Sequence, residues 1–212
     1  KDSNKNIGVI ITNLGTPDSP TKKDLKKYLN QFLMDRRVID LPRILWIPIL
    51  KLIILNVRPK KSAKLYKSIW TNDGSPLMVF SKNILNRLLQ DMKENMTIIL
   101  GMRYGSPSIK DAMNTLKKKN ISKILVLPLY PQAGSPTTSS TFDVISDHVK
   151  NLNWMPNLRF VSGYHDHEKY IDALAKSIDQ SFKKNRTPDL LLFSFHGMPQ
   201  RYLEKGDPYY CF

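Results

Sequence analysis

The sequence predicts an α/β fold built on a parallel sheet with helices on both faces. Three observations carry this. Apolar runs, the first of them rich in β-branched residues, recur at 7–14, 97–104, 123–130, 158–164 and 190–196. Stretches with apolar residues at helical spacing separate them. The runs are nearly continuous in apolar residues rather than alternating, as strands buried on both faces are.

The elements come in order along the chain. The first run ends in Gly15-Thr-Pro17, a strand followed by a turn. Pro20 and Thr21 open a helix over 20–34, in which Leu25, Tyr28, Leu29, Phe32 and Leu33 share a face. Helical segments are expected around 43–54, 60–70 and 76–94. Pro107 opens a helix through Lys119, and the Ser/Thr-rich loop from Gly134 to Thr141 feeds one ending near Leu152. A long helix is expected over 167–184. Trp154 and Pro156, in the polar connection 151–157, mark a domain junction. On this reading residues 1–152 form a first unit holding three strands. Residues 153–212 begin a second, with strands four and five.

Composition narrows the function. Of 212 residues 41% are hydrophobic, which excludes wholesale disorder. The single cysteine, Cys211, excludes an intrachain disulfide framework or a zinc ribbon and fits a reducing compartment. The formal net charge is +15, from 33 basic and 18 acidic residues. Of the basic residues 24 are Lys and 9 are Arg, alongside 19 Ile and 15 Asn. That mixture reads as AT-rich coding bias on a solvated surface, whereas a nucleic-acid reader favours Arg. There is no Gly-x-Gly-x-x-Gly and no phosphate-binding loop, so a nucleotide cofactor is disfavoured.

One stretch of charge is local. Lys51, Arg58, Lys60, Lys61, Lys64 and Lys67 lie within 51–70 without an acid. Residues 41–55, which overlap its start, have eleven apolar residues in fifteen, interrupted by Arg43, Pro48 and Lys51. A spanning helix needs about 20 apolar residues. Two readings remain: helices covering an apolar pocket, or an amphipathic lip on a membrane interface. No signal peptide precedes the first strand. The chain begins without Met and stops at Tyr209-Tyr-Cys-Phe212 with no element closed off, so a piece of a longer protein is expected.

Parallel sheets bind ligands beyond the C-terminal ends of their strands. Polar residues cluster there: Asn13 and Thr16; Arg103, Tyr104 and Ser106; Tyr130, Gln132 and the loop 135–141; Ser194, His196, Gln200 and Arg201. His196 stands out, because it ends an apolar run and Gly197 lets the backbone turn after it. Its imidazole can ligate a transition metal or take a proton, and a structural role at the strand end is the competing reading. His165-Asp166-His167 lacks the i, i+4 spacing of a helical metal pair and reads as a helix start capped by Asp166. His148 reads as a surface residue near a helix C-terminus. Ser194-Phe-His196 is no nucleophile elbow. Glu94, Glu168 and Glu204, the three glutamates, all fall in expected helices, leaving His196 without an obvious carboxylate partner.

An ordered set of motifs is similar to the ferrochelatase family: Asn13-Leu-Gly-Thr-Pro-Asp18, Phe32-Leu-Met-Asp-Arg-Arg-Val38, Gly74-Ser-Pro-Leu77, Gly101-Met-Arg-Tyr-Gly-Ser-Pro107, Leu127-Pro-Leu-Tyr-Pro-Gln132 and Phe193-Ser-Phe-His-Gly-Met-Pro-Gln-Arg201, extended by Lys205-Gly-Asp-Pro-Tyr209. The resemblance implies two similar Rossmann-like α/β domains of the chelatase type, the second truncated here, with a porphyrin cleft between them. It implies insertion of ferrous iron into protoporphyrin IX, with Fe²⁺ as substrate and no permanently bound cofactor. It implies that His196 is the catalytic and metal-binding histidine. It places Leu14, Arg36, Arg37, Arg103, Tyr104, Tyr130, Ser135 and Thr137 at the porphyrin. It makes the apolar run a cleft lip, with peripheral membrane contact through residues 41–67 of an otherwise cytoplasmic protein and no nucleic-acid partner. The family's metal-site glutamate comes from a later part of its second domain, so this chain is expected to lack a complete metal site and to be inactive alone. Two alternatives are a chelatase for another tetrapyrrole or metal, such as coproporphyrin or cobalt, and a non-catalytic basic α/β binding module.

Overall fold

β1 (Ile7–Gly15) is the strand on which the others are laid, in a computed structural model that describes residues 6–92 and 95–212. It pairs in parallel with β2 (Met96–Tyr104) on one side and β3 (Lys123–Pro128) on the other, with Ile7 opposite both Met96 and Lys123. β4 (Asn157–Phe160) joins the far edge of β3, giving the order β2-β1-β3-β4.

Side chains of a strand alternate between faces, and both faces of β1 are covered. Ile10 packs with Ala112, Met113 and Leu116 of α5 (Ile109–Lys118) and Ile145 of α6 (Ser140–Val149). Val9 and Ile11 form the opposite core with Ile98, Leu100 and Met102, covered by Leu77, Met78, Leu85 and Leu88 of α4 (Pro76–Asp91). This double burial is why the run is apolar throughout.

The helix starts obey capping chemistry. Thr21 accepts from the Asp24 amide at the start of α1 (Lys22–Met34), and Ser75 from Met78 at the start of α4. Ser108 and Asp111 form a reciprocal capping box on α5. The expected helices 43–54 and 60–70 are instead continuous: α2 (Arg43–Pro48), a π-helical turn (Ile49–Ile54) and α3 (Leu55–Ile69). Pro48 has no N–H to bond back along the helix, and the turn after it widens rather than breaks. Among the described residues no helix is long and apolar enough to cross a membrane.

Two expectations are corrected. Strand four does not open a second unit. It hydrogen-bonds to β3, and Leu158 and Phe160 pack against the α5–α6 core, so the first unit runs past 152 to at least Phe160. The fifth expected strand, 190–196, has no regular structure, and Leu190, Leu191, Leu192, Phe193 and Phe195 are exposed. A strand needs a hydrogen-bonded neighbour, and none of the described residues pairs with this one. Between them lies α7 (Glu168–Lys184), which has no buried residue. α8 (Gln200–Glu204) and a 3₁₀ turn (Pro208–Cys211) end the chain.

Gly15 ends β1 with φ +102, and a Cβ there would sit 1.8 Å from the Tyr104 carbonyl oxygen. Neither the dihedral nor the space admits a side chain. Gly15→Ala is expected to cost about 3 kcal/mol or more in urea denaturation. An unchanged midpoint would contradict this packing.

Candidate functional site

The C-terminal ends of β1 and β2 meet the end of α1, and the contact is polar. Asp35 terminates α1, and its side chain is only 6% exposed. Its Oδ2 accepts from the Tyr104 hydroxyl at 2.7 Å and the Ser140 hydroxyl at 2.6 Å and is ion-paired with Arg103. Its Oδ1 accepts from the Arg37 amide at 2.7 Å. Arg103 Nε also donates to Ser140 Oγ at 2.5 Å, and the guanidinium lies over the Tyr104 ring, 4.5 Å from its centroid. One carboxylate therefore ties together the end of α1, the end of β2 and the start of α6. Burial alone would raise the Asp35 pKa. The Ser140 and Tyr104 hydroxyls, the Arg103 charge and the Arg37 amide together hold it below the usual carboxylate range.

Tyr104 is 1% exposed, with its ring edge-on to Phe32 at 5.2 Å. It belongs to an apolar cluster with Tyr28, Leu29, Leu33, Trp46, Leu50 and Leu55, against which Leu14 packs half-buried. The apolar run has a buried side and an exposed side. The inner face of the 43–69 helical run, through Trp46, Leu50 and Leu55, covers this cluster, while Ile44, Leu45, Leu52 and Ile53 are exposed. Burial pushes the Tyr104 and Tyr130 hydroxyls well above the ordinary tyrosine value, so both remain protonated donors. The Tyr130 hydroxyl is buried near Thr141.

Arg37 and Arg36 differ. Arg37 makes a bidentate pair with Asp143, at 2.8 Å from Nε and 3.1 Å from Nη2. Arg36 is exposed. Both line a polar pocket of about 240 Å³ with Ser135, Ser139, Lys205 and Asp207. Thr137 spends its hydroxyl locally, donating to the Gly134 carbonyl at 3.2 Å.

His196 is exposed beside a larger cavity of about 750 Å³, lined also by Gln132, Met198, Tyr202, Asp207, Tyr209 and Phe212. The two cavities share Tyr202 and Asp207 as a common wall. The expected site residues therefore fall into three adjoining groups. His196 and Gln132 line the large cavity. Arg36, Arg37 and Ser135 line the small one. Arg103, Tyr104 and Tyr130 lie in and around the polar network on Asp35. Among the described residues no three His, Cys, Asp or Glu side chains gather closely enough to hold a metal ion.

The histidine expectations need correction. The cap of α7 is His167, not Asp166: its Nδ1 accepts from the Lys169 amide at 3.3 Å, and Asp166 stands one residue outside the capping position. His165 stacks on Phe212 with centroids 4.0 Å apart. His148 does lie in the last turn of α6 but is half-buried, and burial, with Lys110 and Lys117 nearby, lowers its pKa.

Sequence reasoning missed Asp35, Asp143 and Asp207 as parts of the site, whereas Ser140 lies in the loop 135–141 that it singled out. Asp35 and Asp207 lie inside quoted motifs, and the available signal was an acid placed between an apolar helix end and two arginines.

The chain is an α/β protein with a basic, tyrosine-lined polar cluster at the C-terminal edge of its parallel sheet, the edge at which such sheets bind ligands. The family model for ferrochelatase matches residues 6–212, and the chain belongs to the ferrochelatase family. It is 46% identical over 209 residues to the ferrochelatase of Pseudoalteromonas atlantica, covering 97% of this chain and 58% of that protein. It is 50% identical over 217 residues to that of Hydrogenovibrio crunogenus, covering 97% and 56%. It is 48% identical over 206 residues to that of Photobacterium profundum, covering 97% and 63%. The chain spans a little more than half the length of these relatives.

Replacing Asp35 leaves Arg103 buried without its counter-charge. Asp35→Ala is expected to cost about 3–5 kcal/mol, measured by urea unfolding at pH 7. The Asp35 pKa is lower in the folded state than in the unfolded chain, so its contribution is present above the unfolded value and lost as pH falls through the folded one. Unfolding free energy should therefore drop more steeply below about pH 4 in the wild type than in Asp35→Asn. Parallel pH curves would contradict the network.

Proposed function

We propose that the intact protein inserts Fe²⁺ into protoporphyrin IX to form protohaem, the last step of haem synthesis, as a lyase forming nitrogen–metal bonds. The observation that carries the reading is the shared wall between the His196 cavity and the arginine pocket, in a chain belonging to the ferrochelatase family. A cavity of about 750 Å³ lies in the range that holds a small molecule.

Metallation must strip water from Fe²⁺ and remove two pyrrole protons. The imidazole of His196 supplies a nitrogen that takes a proton or donates a lone pair to this borderline metal ion. Arg37 and Arg103 are already paired with Asp143 and Asp35: Arg37 lines the small pocket, and Arg103 braces the Asp35 carboxylate that the Arg37 amide also joins. Arg36, exposed on the small pocket, is placed to meet a propionate. Leu14 and Tyr130, both half-buried, would meet the macrocycle, with Tyr104 buried in the cluster against which Leu14 packs, and Ser135 and Thr137 would form the turn beside it. The carboxylate of the metal site would come from the later part of the second domain that the family resemblance implies.

The two-unit organisation is also part of the proposal, with its boundary moved beyond β4. The unburied α7 and the exposed 190–196 segment support a second α/β unit that needs further strands. The lip supports a cytoplasmic protein touching the membrane surface, since its exposed leucines and isoleucines adjoin a basic stretch.

Titration of the intact protein with protoporphyrin, read by absorbance and fluorescence, and anaerobic Fe²⁺ or Zn²⁺ insertion test the function. His196→Ala should abolish insertion while leaving the circular dichroism spectrum unchanged. Near-normal turnover in that variant would remove His196 from the reaction, and a wild type that neither binds nor metallates protoporphyrin would end the proposal. For the lip, vesicles containing anionic lipid should capture the protein weakly and release it as salt rises. Equal, salt-insensitive capture by neutral vesicles would show that the basic stretch has no part in it.

A further inference from the structure

We propose that Asp207 is a positioning residue that clasps the segment carrying His196 onto the C-terminal edge of the sheet. The role assigned to His196 rests on the function proposed above; the clasp itself rests on geometry. No regular secondary structure holds residues 190–199, so the imidazole inherits its place from the chain on its C-terminal side, residues 200–211. That stretch is anchored at three points. The Tyr202 hydroxyl reaches the Arg37 carbonyl at 3.2 Å and the Val38 carbonyl at 3.0 Å. Lys205 is ion-paired with Asp40. Asp207 is 8% exposed, and its two oxygens serve two different turns. Oδ2 accepts from the Ser135 amide at 2.6 Å, and Oδ1 accepts from the Tyr209 amide at 2.9 Å.

The chemistry favours a carboxylate at this point. Ser135 opens the π-helical turn (Ser135–Ser139) that runs into α6, and its amide points out of that turn without a helical partner. Tyr209 lies in the first turn of the 3₁₀ segment lining the His196 cavity. Joining two outward-pointing amides takes two acceptors on one side chain. Aspartate has them, whereas asparagine has one and would turn an N–H against an N–H. Asp207 and Tyr202 are also the shared wall of the two cavities. The same contacts that hold the segment therefore set the cavity lined by His196 beside the arginine pocket.

The test combines hydrogen exchange with kinetics on the intact protein. In Asp207→Ala, amides of 196–211 should exchange about tenfold faster or more, with β1–β3 unchanged. Zn²⁺ insertion into protoporphyrin should lose about 100-fold in kcat, with KM for protoporphyrin within about twofold. Asp207→Asn, which keeps one acceptor, should lie between. A purely structural role would lower core protection and melting temperature instead, without this split between kcat and KM. Tyr202→Phe, which removes one oxygen, should show the same pattern more weakly and serves if Asp207→Ala does not fold. Unchanged exchange over 196–211, or an unchanged kcat beside active wild type, overturns the clasp. A wild type that inserts no metal overturns the functional reading alone, and the exchange measurement then decides the clasp by itself.

Discussion

The buried carboxylate of Asp35 is the constraint on which the rest of the site depends. An ion taken out of water costs several kcal/mol unless its oxygens are matched by donors. Here the donors come from Arg103, Tyr104, Ser140 and the Arg37 amide. They belong to the end of β2, the start of α6 and the turn after α1. Those three pieces cannot drift apart without exposing the charge to an apolar surrounding. The network therefore fixes the rim of the sheet more tightly than the apolar clusters beneath it, which tolerate repacking.

From that point the constraints pass along the chain in both directions. Tyr104 gives its hydroxyl to Asp35 and its ring to the cluster under the 43–69 helical run, so the base of the lip is set by the same residue that satisfies the carboxylate. Arg37 gives its amide to Asp35, its guanidinium to Asp143 and its carbonyl to Tyr202. It thus links the polar hub to the segment that bears His196. Arg36, one residue earlier, is left facing the small pocket. A ligand entering there meets a rigid wall whose other charges are already committed to each other, which is what preorganisation of a binding site requires.

The sheet was legible because burial on both faces leaves a mark in composition, and β1 carries it from Ile7 to Leu14. Arg103, Tyr104 and His196 were legible for a related reason: each ends a run too apolar to need a polar residue. The limits were equally physical. Residues 190–196 look like a strand because a short run of leucines and phenylalanines suits one, yet a strand exists only with a neighbour to bond. β4 was assigned to a second unit because the polar connection before it resembles a linker, while Leu158 and Phe160 in fact complete the first core. Asp166 is the better capping residue by type, but only the side chain at the cap position itself accepts from the helix amide, and that position is held by His167. Asp35 was hard to read because its partners lie up to 105 residues away, and its one local mark is its place between an apolar helix end and two arginines. Convergence of distant residues is a property of the fold, and the motif around Asp35 hinted only that something there mattered.

Asp35 acts, on this view, through Arg103 to hold the cleft rim in one arrangement. A double-mutant cycle of Asp35→Asn and Arg103→Gln, read in the affinity for protoporphyrin, tests it most directly. The double variant is expected to bind no more weakly than the poorer single variant, a coupling of about 1 kcal/mol or more. Losses that simply add would show that the two residues act independently and would contradict it.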